Sequence, residues 1–590
     1  MPFIVFSLLA IVQTWPLILH LSDGTMESPK QSGDTWAFLW DLWWVKKASL
    51  SLRNPFHTGW LLFPQGSDLY LHALVPVNGV LSIPLQLATG DLVLSWNVLT
   101  LVFLVLSALG MYALVQRLTG NRAAATISAY IFAFSPLTMM YLSGSQWNVS
   151  TTWPLPLFAL FLLRFWESGR PLDAVGCSIA WALLTYNYLE FGIDGGWFLA
   201  IFLAYQSFVC MKKADWTALS LAWRKCAVVS SLWLLLSLPL IIGALHDVYG
   251  QHVPLESGGE FWSNDLLTFV KPSPMWGPGQ FPVDPGGPHL AAGTILGTAY
   301  LGITPLLLAV IALCSVRRAD DKAIFWGAVF IFFAILSLGP YLYVGDNRSF
   351  SIMGVSFSVP LPTQIIDHIP ILGDRRIASR TIVIGAFGFS VLAGLGCHVL
   401  MSSIKRRAQA LVPWVALIVF FLVVLEYWNP PVFVSHVSTS PALEAIHDEP
   451  GDFNVLDVPF GRGTGITAAG DSFGAAITDY YQTVHGKPSL GGYLARVEST
   501  TLAWVSTQPG LKYLACKTCE QPSEDDLDAT RAREVFQRYK IRYVLLHKRA
   551  PDGWDVGINL GWDAYLKNVA GFTVTYDDTT LTVYRNDGIE

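Results

Sequence analysis

The sequence predicts an α-helical polytopic membrane protein with about 11 transmembrane helices and a small C-terminal α/β extracytoplasmic domain. Three observations carry this prediction. Of the 590 residues, 53% are hydrophobic and only 14% are charged, which is too apolar for a soluble chain of this length. Apolar stretches long enough to cross a hydrocarbon core of about 30 Å recur as far as residue 428. Beyond residue 430 the pattern changes to short β-rich runs.

Eleven stretches have the length and apolarity of membrane spans. They lie at roughly 2–21, 92–116, 123–142, 148–166, 172–190, 193–211, 226–246, 291–314, 323–343, 381–401 and 410–428. The segment 73–90 is also apolar, but Pro76, Asn78 and Pro84 interrupt it. We therefore expect that segment to be an interfacial or re-entrant piece.

The charges of the loops predict the topology. Short cytoplasmic loops collect Lys and Arg, and with the N-terminus inside, the basic short connections all fall on one side, at 117–122, 170, 212–225, 317–322 and 405–407. The outer side then receives the loops 22–91, 247–290 and 344–380 and everything after residue 430. This divides the chain into a transmembrane domain over 1–429 and an extracytoplasmic domain over 430–590.

The C-terminal region has the alternating pattern of an α/β domain. FNVLDVPF, IRYVLLHK and FTVTYDDTTLTVYR are β-rich runs bounded by turn residues, and TRAREVFQRY indicates a polar helix. Cys516 and Cys519, in CKTC, are expected to form a local disulfide or a free pair in an oxidising compartment rather than a redox catalyst.

The stretch QSGDTWAFLWDLWWVKK predicts an amphipathic helix in the first outer loop. At 100° per residue, Trp36, Trp40 and Trp43 share one face, and Asp34 and Asp41 lie on nearly the opposite face. Tryptophan favours the headgroup level of a membrane, so the indoles would anchor the helix and turn both carboxylates toward an aqueous cavity. A purely interfacial anchor with solvated acids is the alternative. The same loop supplies further polar groups in NPFHTGWLLFPQGSDLYLH, namely His57, Asp68 and His72.

A cluster of arginines precedes the tenth predicted span. Arg375, Arg376 and Arg380 lie where the charge rule expects few cations. They either snorkel to lipid phosphates or bind a phosphate group, which guanidinium contacts in a bidentate manner. Carboxylates in one outer loop and arginines in another suit the transfer of a sugar from a lipid-linked phosphate, which needs a base for the acceptor and a cation for the leaving group.

These motifs carry a resemblance to a known family. GDTWAFLWDLWW, NPFHTGWLLFPQGSDLYLH, DLLTFVKPSPMWG, YLGITPLLLA, SLGPYLYVG, LPTQIIDHIPILGDRRIASR and YYQTVHGKPSLGGYLAR together resemble bacterial GT-C-fold membrane glycosyltransferases, including the YfhO-like and dolichyl-phosphate-mannose-transferase-like groups. The resemblance implies a GT-C-like fold, a polyprenyl-phosphate sugar donor, and an acidic residue of the first outer loop that acts as base or metal ligand. By position that residue is Asp34, with Asp41 as runner-up.

The expected function is therefore an integral membrane glycosyltransferase that acts on an extracytoplasmic glycan, lipid or protein acceptor. A non-catalytic accessory or transport protein of cell-envelope glycan assembly is the alternative. The expected partners are the lipid bilayer and the donor lipid, without nucleic acid, in the plasma (inner) membrane. No metal ligands are predicted, although a divalent metal is compatible with the family. The predicted site comprises Asp34 and Asp41 as catalytic residues and six substrate-binding residues: Arg375, Arg376, Arg380, His57, His72 and Trp40.

Overall fold

A computed structural model of the chain describes residues 2–27, 33–255, 260–271, 299–316, 321–366, 368–369 and 377–589. The chain divides into two compact units. The helical unit consists of Met1–Leu19, Val98–Pro239 and Glu256–Val432. The mixed unit consists of His20–Asn97, Leu240–Leu255 and Phe433–Glu590. Residues from Phe433 onward therefore share a compact unit with the whole of the first predicted outer loop, 22–91.

The helices confirm a multi-pass membrane protein but not the predicted number of spans. Within the described ranges, seven helices are long and apolar enough to cross a membrane: Leu92–Thr119, Arg122–Ser143, Trp147–Ser168, Leu189–Lys212, Trp216–Tyr249, Ala378–Arg407 and Gln409–Glu426. Three shorter apolar helices are Pro2–Gln13, Ile303–Cys314 and Lys322–Ser337. The other α-helices that the structure describes in the helical unit are Pro171–Asn187 and the single turn Thr363–Ile366. Part of the predicted span 291–314 lies outside the described residues.

Two of these helices are interrupted, and proline explains each interruption. The helix Arg122–Ala133 ends before Pro136–Ser143 begins, and Trp147–Ser150 ends before Pro154–Ser168 begins. Proline has no backbone N–H and favours the first turn of a helix, so a new segment starts at each one. The continuous spans predicted at 123–142 and 148–166 are therefore each two helical segments.

Small residues bring the helices of the helical unit close together. A Cβ atom added to Gly396 would lie 1.7 Å from the carbonyl oxygen of Leu308, and one added to Gly394 would lie 2.8 Å from Ser128 Cβ. Ser128 Oγ also donates a hydrogen bond to the carbonyl of Ser390 at 2.7 Å. Close backbone approach at small residues and interhelical hydrogen bonds are the main means of helix association in a bilayer.

The mixed unit contains a four-stranded sheet built from the predicted β-rich runs. Its strand order is Thr573–Asp577, Leu581–Arg585, Ile541–His547 and Asn454–Val458. The last pair is parallel and the other two are antiparallel. Shorter strands pair Gly24–Met26 with Val434–His436, His57–Thr58 with Ser67–Asp68, and Gly461–Gly463 with Ala468–Gly470 and Gly492–Tyr493. A hairpin of the helical unit pairs Phe350–Ile352 with Val355–Phe357.

Among the described residues, the following α-helices lie wholly within the mixed unit. They are Gly33–Leu50, Pro76–Thr89, Pro441–Asp448, Ser472–His485, Ser499–Thr507, Glu524–Leu527, Ala529–Arg538 and Gly561–Asn568. The predicted polar helix TRAREVFQRY is the segment Ala529–Arg538. Pro76–Thr89 has 14 residues and spans about 21 Å, which is too short to cross a bilayer unaided. Cys516 and Cys519 form a disulfide, one of the two states expected from CKTC.

The tryptophan-rich stretch is a helix, Gly33–Leu50, but its predicted environment is wrong. Trp36, Trp40 and Asp41 are all completely buried inside the protein, and Trp36 packs against Tyr480 with their ring planes inclined at 51°. Residues of the C-terminal segment cover the face that was expected to meet lipid, so the indoles do not anchor the helix in headgroups. The periodicity identifies the two faces, but it does not show that both are covered by protein.

Arg462 joins the first loop to the C-terminal segment within the mixed unit. It is fully buried, and its guanidinium donates to the carbonyls of Leu490 at 2.9 Å, Thr501 at 2.9 Å and Phe63 at 2.6 Å. A fourth bond reaches the side chain of Gln65 at 2.9 Å. Burial lowers the pKa of Arg462 to about 9, so the side chain remains charged at neutral pH.

Replacing this arginine is expected to destabilise the mixed unit. In Arg462→Met the buried carbonyls lose their donors, and each unsatisfied group costs about 1–3 kcal/mol. The unfolding temperature of the purified chain can be measured from the temperature at which a protease begins to cleave the C-terminal segment. We expect this temperature to fall by several degrees. Arg538→Met, a matched change at an exposed arginine, should leave the transition in place. Equal transitions for the two variants would show that Arg462 does not hold these segments together.

Candidate functional site

The predicted catalytic carboxylate, Asp34, lies in the first turn of the helix Gly33–Leu50. It is half-buried, and the hydroxyl of Tyr493 donates a hydrogen bond to its Oδ1 at 3.2 Å. The first turn of a helix favours a negative charge because the unpaired N–H groups there carry a partial positive charge. The Tyr493 hydroxyl therefore holds the Asp34 carboxylate in place, and the start of the helix stabilises its negative charge. Part of the side chain stays accessible to solvent.

The segment that supplies Tyr493 is itself held by a buried acid. The backbone N–H of Tyr493 donates to Asp479 Oδ1 at 3.0 Å, and Asp479 is completely buried in the helix Ser472–His485. Burial raises the pKa of Asp479 well above its usual range, and the nearby Asp41 and Asp457 raise it further. This arrangement fixes the strand that presents Tyr493 to Asp34.

Asp41, the second predicted catalytic residue, forms a buried pair with His72. Asp41 Oδ1 lies 3.0 Å from His72 Nε2, and His72 Nδ1 accepts a hydrogen bond from the backbone N–H of Ala495 at 2.9 Å. Because Nδ1 accepts, Nε2 carries the proton and donates to Asp41. Burial raises the pKa of Asp41, and His72 offsets part of that effect. The two catalytic candidates thus have different surroundings, and only Asp34 is accessible.

Trp40 and His57 occupy opposite kinds of environment. Trp40 is completely buried, stacks on Trp44 with ring centroids 5.6 Å apart, and donates its indole N–H to Gln482 Oε1 at 2.6 Å. His57 is exposed, and its Nδ1 lies 2.7 Å from Asp68 Oδ1. Substrate contacts by Trp40 and His72 remain predictions that their burial does not support. His57 is accessible but pairs with Asp68.

Of the three predicted arginines, the structure describes only Arg380, which lies in the helical unit. Its guanidinium donates to the hydroxyl of Tyr188 at 3.0 Å and to the side chain of Gln146. Its Nε–H has no hydrogen-bond partner among the described residues. The predictions for Arg375 and Arg376 lie outside the described residues. Arg380 is therefore held by the Tyr188 hydroxyl and the Gln146 side chain, and the Glu190 carboxylate also interacts with its charge.

Sequence reasoning missed the C-terminal residues that hold Asp34 within the mixed unit. Tyr493 and Asp479 both lie in or beside YYQTVHGKPSLGGYLAR, the last motif that carried the family resemblance. The motif marked the segment, but nothing in its spacing indicated a contact with Asp34, about 460 residues earlier in the chain. A contact at that sequence distance is set by the tertiary fold.

Two groups of side chains in the mixed unit have the composition of a metal site. One consists of His20, Asp23 and His436, and the other of Asp68, His246 and Asp247; the ligand atoms within each group lie within 4.8 Å of one another. Most members of the first group are exposed, whereas Asp247 in the second is fully buried. Neither group includes Asp34 or Asp41.

Comparison with solved structures identifies the fold. The chain is similar to the arabinofuranosyltransferase AftD from mycobacteria, with 12% identity and a TM-score of 0.59 over 99% of this chain and 41% of that one. It is also similar to ArnT from Cupriavidus metallidurans bound to undecaprenyl phosphate, with 11% identity, a TM-score of 0.50, and coverage of 99% and 97%. The oligosaccharyltransferase AglB from Archaeoglobus fulgidus matches with 12% identity and a TM-score of 0.48, over 100% of this chain and 74% of that one.

No family model matches the chain, and no curated protein matches its sequence. The structural likeness confirms the GT-C-like membrane fold that the motifs predicted. At these identities the likeness establishes the fold alone, so the activity is argued from the residues of the chain itself.

Proposed function

We propose that this protein is an integral membrane glycosyltransferase that moves a sugar from a polyprenyl-phosphate donor to an extracytoplasmic glycan, lipid or protein. The observation that carries the proposal is the position of Asp34 and the contacts it makes. It is a half-buried, accessible carboxylate in the first turn of a helix, with Tyr493 hydrogen-bonded to it, in a chain with the fold of membrane glycosyltransferases. A carboxylate in that setting is suited to act as a general base.

In the proposed reaction Asp34 accepts the proton of an acceptor hydroxyl. The acceptor oxygen then attacks the anomeric carbon, and the bond between that carbon and the phosphate oxygen breaks. The phosphate leaves with the bonding electrons as polyprenyl phosphate. Tyr493 positions Asp34 through its 3.2 Å hydrogen bond, whereas the buried Asp41–His72 pair holds the helix that carries it.

Arg380 is the proposed contact for the phosphate of the donor. Among the described residues its Nε–H has no hydrogen-bond partner, and its planar, permanently charged guanidinium suits a phosphate oxygen better than an ammonium group does. The ArnT structure, which has a similar fold, contains undecaprenyl phosphate. By analogy, a polyprenyl phosphate is the ligand class that we expect here.

Binding of the reaction product tests the donor class. The purified chain in lipid nanodiscs should retain undecaprenyl phosphate in native mass spectrometry, because the lipid tail and the phosphate are both recognised. Undecaprenol, which lacks the phosphate, should bind much more weakly. Equal retention of the two lipids would contradict a phosphate-specific site and leave only a general affinity for long isoprenoids.

We further propose that residues 430–590 are extracytoplasmic, in the plasma membrane of the cell. The basic loops 212–225 and 405–407 then lie on the opposite, cytoplasmic side. A reporter that is active only outside the cytoplasm should be active when fused after residue 589 and inactive when inserted near Ala214. Activity of the reverse pair would overturn this orientation and move Asp34 to the wrong side for an outer acceptor.

A further inference from the structure

We propose that Asp68, His246 and Asp247 form a binding site for a divalent zinc ion in the mixed unit. The three ligand atoms lie within 4.8 Å of one another. A point equidistant from three atoms at that spacing is about 2.8 Å from each, and zinc bonds to nitrogen and oxygen are about 2.0–2.2 Å long. Movements of less than about 1 Å therefore complete the site.

A buried carboxylate oxygen without a partner provides a second, independent observation. Asp247 is 1% exposed, and its Oδ1 has no hydrogen-bond partner within the described ranges. The backbone N–H groups of Tyr70 and Leu71 donate to the Asp247 carboxylate, which fixes its orientation. A buried carboxylate oxygen that accepts no hydrogen bond, in a group that backbone donors hold in place, loses free energy unless a proton, a ligand or a cation satisfies it.

A glycine allows the loop that carries Asp68 to approach the helix that carries His246 and Asp247. A Cβ atom added to Gly243 would lie 2.2 Å from the ring of Tyr70, so the helix Trp216–Tyr249 approaches the loop closely only because residue 243 has no side chain. Asp247 lies one turn further along the same helix face. Tyr70 is two residues after Asp68. The close approach of Gly243 to Tyr70 therefore brings the chain near Asp68 next to the helix that carries Asp247.

The charges of the cluster favour a cation. Asp68 and Asp247 are two carboxylates whose ion-pair partners, among the described residues, are only His57 and His246. Histidine offsets their repulsion only when it is protonated. An imidazole nitrogen with two carboxylate oxygens suits zinc better than magnesium or calcium, which favour oxygen ligands alone.

His57 has a defined role in this arrangement. Its Nδ1 lies 2.7 Å from Asp68 Oδ1, on the strand His57–Thr58 that pairs with Ser67–Asp68. Hydrogen bonds to a metal-ligating carboxylate orient it and tune its affinity. His57 is therefore a positioning residue for Asp68, and this accounts for the paired histidine in NPFHTGWLLFPQGSDLYLH.

Direct zinc binding to the full chain tests the site without any assay of transfer. Protein in lipid nanodiscs, stripped with a chelator, should bind one zinc per chain in competition with a chromophoric chelator. X-ray absorption should show only nitrogen and oxygen ligands. Asp247→Asn and Asp68→Asn should each weaken binding by more than about 100-fold, and His57→Gln by about 10-fold. Zinc should raise the melting temperature of the wild type and not that of Asp247→Asn.

The group His20, Asp23 and His436 supplies the matched control. His20→Gln and His436→Gln should leave zinc affinity unchanged. Loss of binding in these variants with retention in Asp68→Asn would overturn the assignment and place the ion at the exposed group. Failure of the wild type to bind an equivalent of zinc would also overturn it. Asp68 is partly exposed, so Asp68→Asn decides the question if Asp247→Asn does not fold.

Discussion

An Asp34→Asn protein is expected to lose roughly 10²-fold to 10⁴-fold in turnover while its folding and insertion stay intact. Asparagine keeps the shape of the side chain and can still meet the hydroxyl of Tyr493, but it cannot accept a proton from the acceptor. Since Asp34 is half-buried in the first turn of its helix, the substitution leaves the core of the mixed unit unchanged. Measured product formation should fall at every substrate concentration, because the chemical step is affected and binding is not.

The matched control is Asp525→Asn, the same chemical change at an exposed aspartate of the C-terminal segment. It should turn over at the wild-type rate. Melting temperature and yield in the membrane should agree among the wild type and both variants. Near-normal turnover by a correctly folded Asp34→Asn protein would refute the assignment of Asp34 as the base.

Arg380→Lys is expected to reduce turnover by about 10-fold to 100-fold although the charge remains. Lysine cannot reproduce the planar set of donors that reaches Tyr188, Gln146 and, through Nε, a ligand. Loss of one charge-assisted hydrogen bond to phosphate costs about 1.5–3 kcal/mol, which corresponds to this range. Retention of undecaprenyl phosphate by the purified variant should weaken in parallel.

Arg406→Lys is the comparison for this change, because Arg406 is exposed near the end of the helix Ile382–Arg407 that is remote from Arg380. Its activity and lipid retention should equal those of the wild type. A variant with lysine at Arg375, Arg376 and Arg380 that keeps full activity would reduce all three residues to anchors for lipid headgroups.

The parts of the fold that local physics determines were predictable from the sequence. Apolar runs of about twenty residues identify spans because the bilayer sets their length, and alternation in IRYVLLHK and its neighbours identifies strands of the sheet. The prolines at 136 and 154 also indicate where the helices break. Hydropathy averaged over a whole span does not detect these breaks.

The surroundings of the candidate site were not predictable, because distant segments create them. The period of the helix Gly33–Leu50 gives the relative directions of Asp34 and Asp41. It does not show that the helix Ser472–His485 lies against Trp40 or that His72 lies against Asp41. Asp41 was therefore expected to face water, whereas it is buried against His72. Asp34 was selected for its position in the first outer loop, and the structure adds Tyr493 as its partner.

Formation of free polyprenyl phosphate by the purified protein tests the central claim most directly. Wild-type protein in nanodiscs is incubated with a series of polyprenyl-phosphate pentoses and hexoses and with acceptor-bearing membrane extract, and the released lipid phosphate is measured by mass spectrometry over time. We expect at least one donor to yield polyprenyl phosphate and a glycosylated acceptor in equal amounts, with Asp34→Asn at least about 100-fold slower. Tight binding of every donor without release of lipid phosphate would contradict the account and identify an accessory or transport protein.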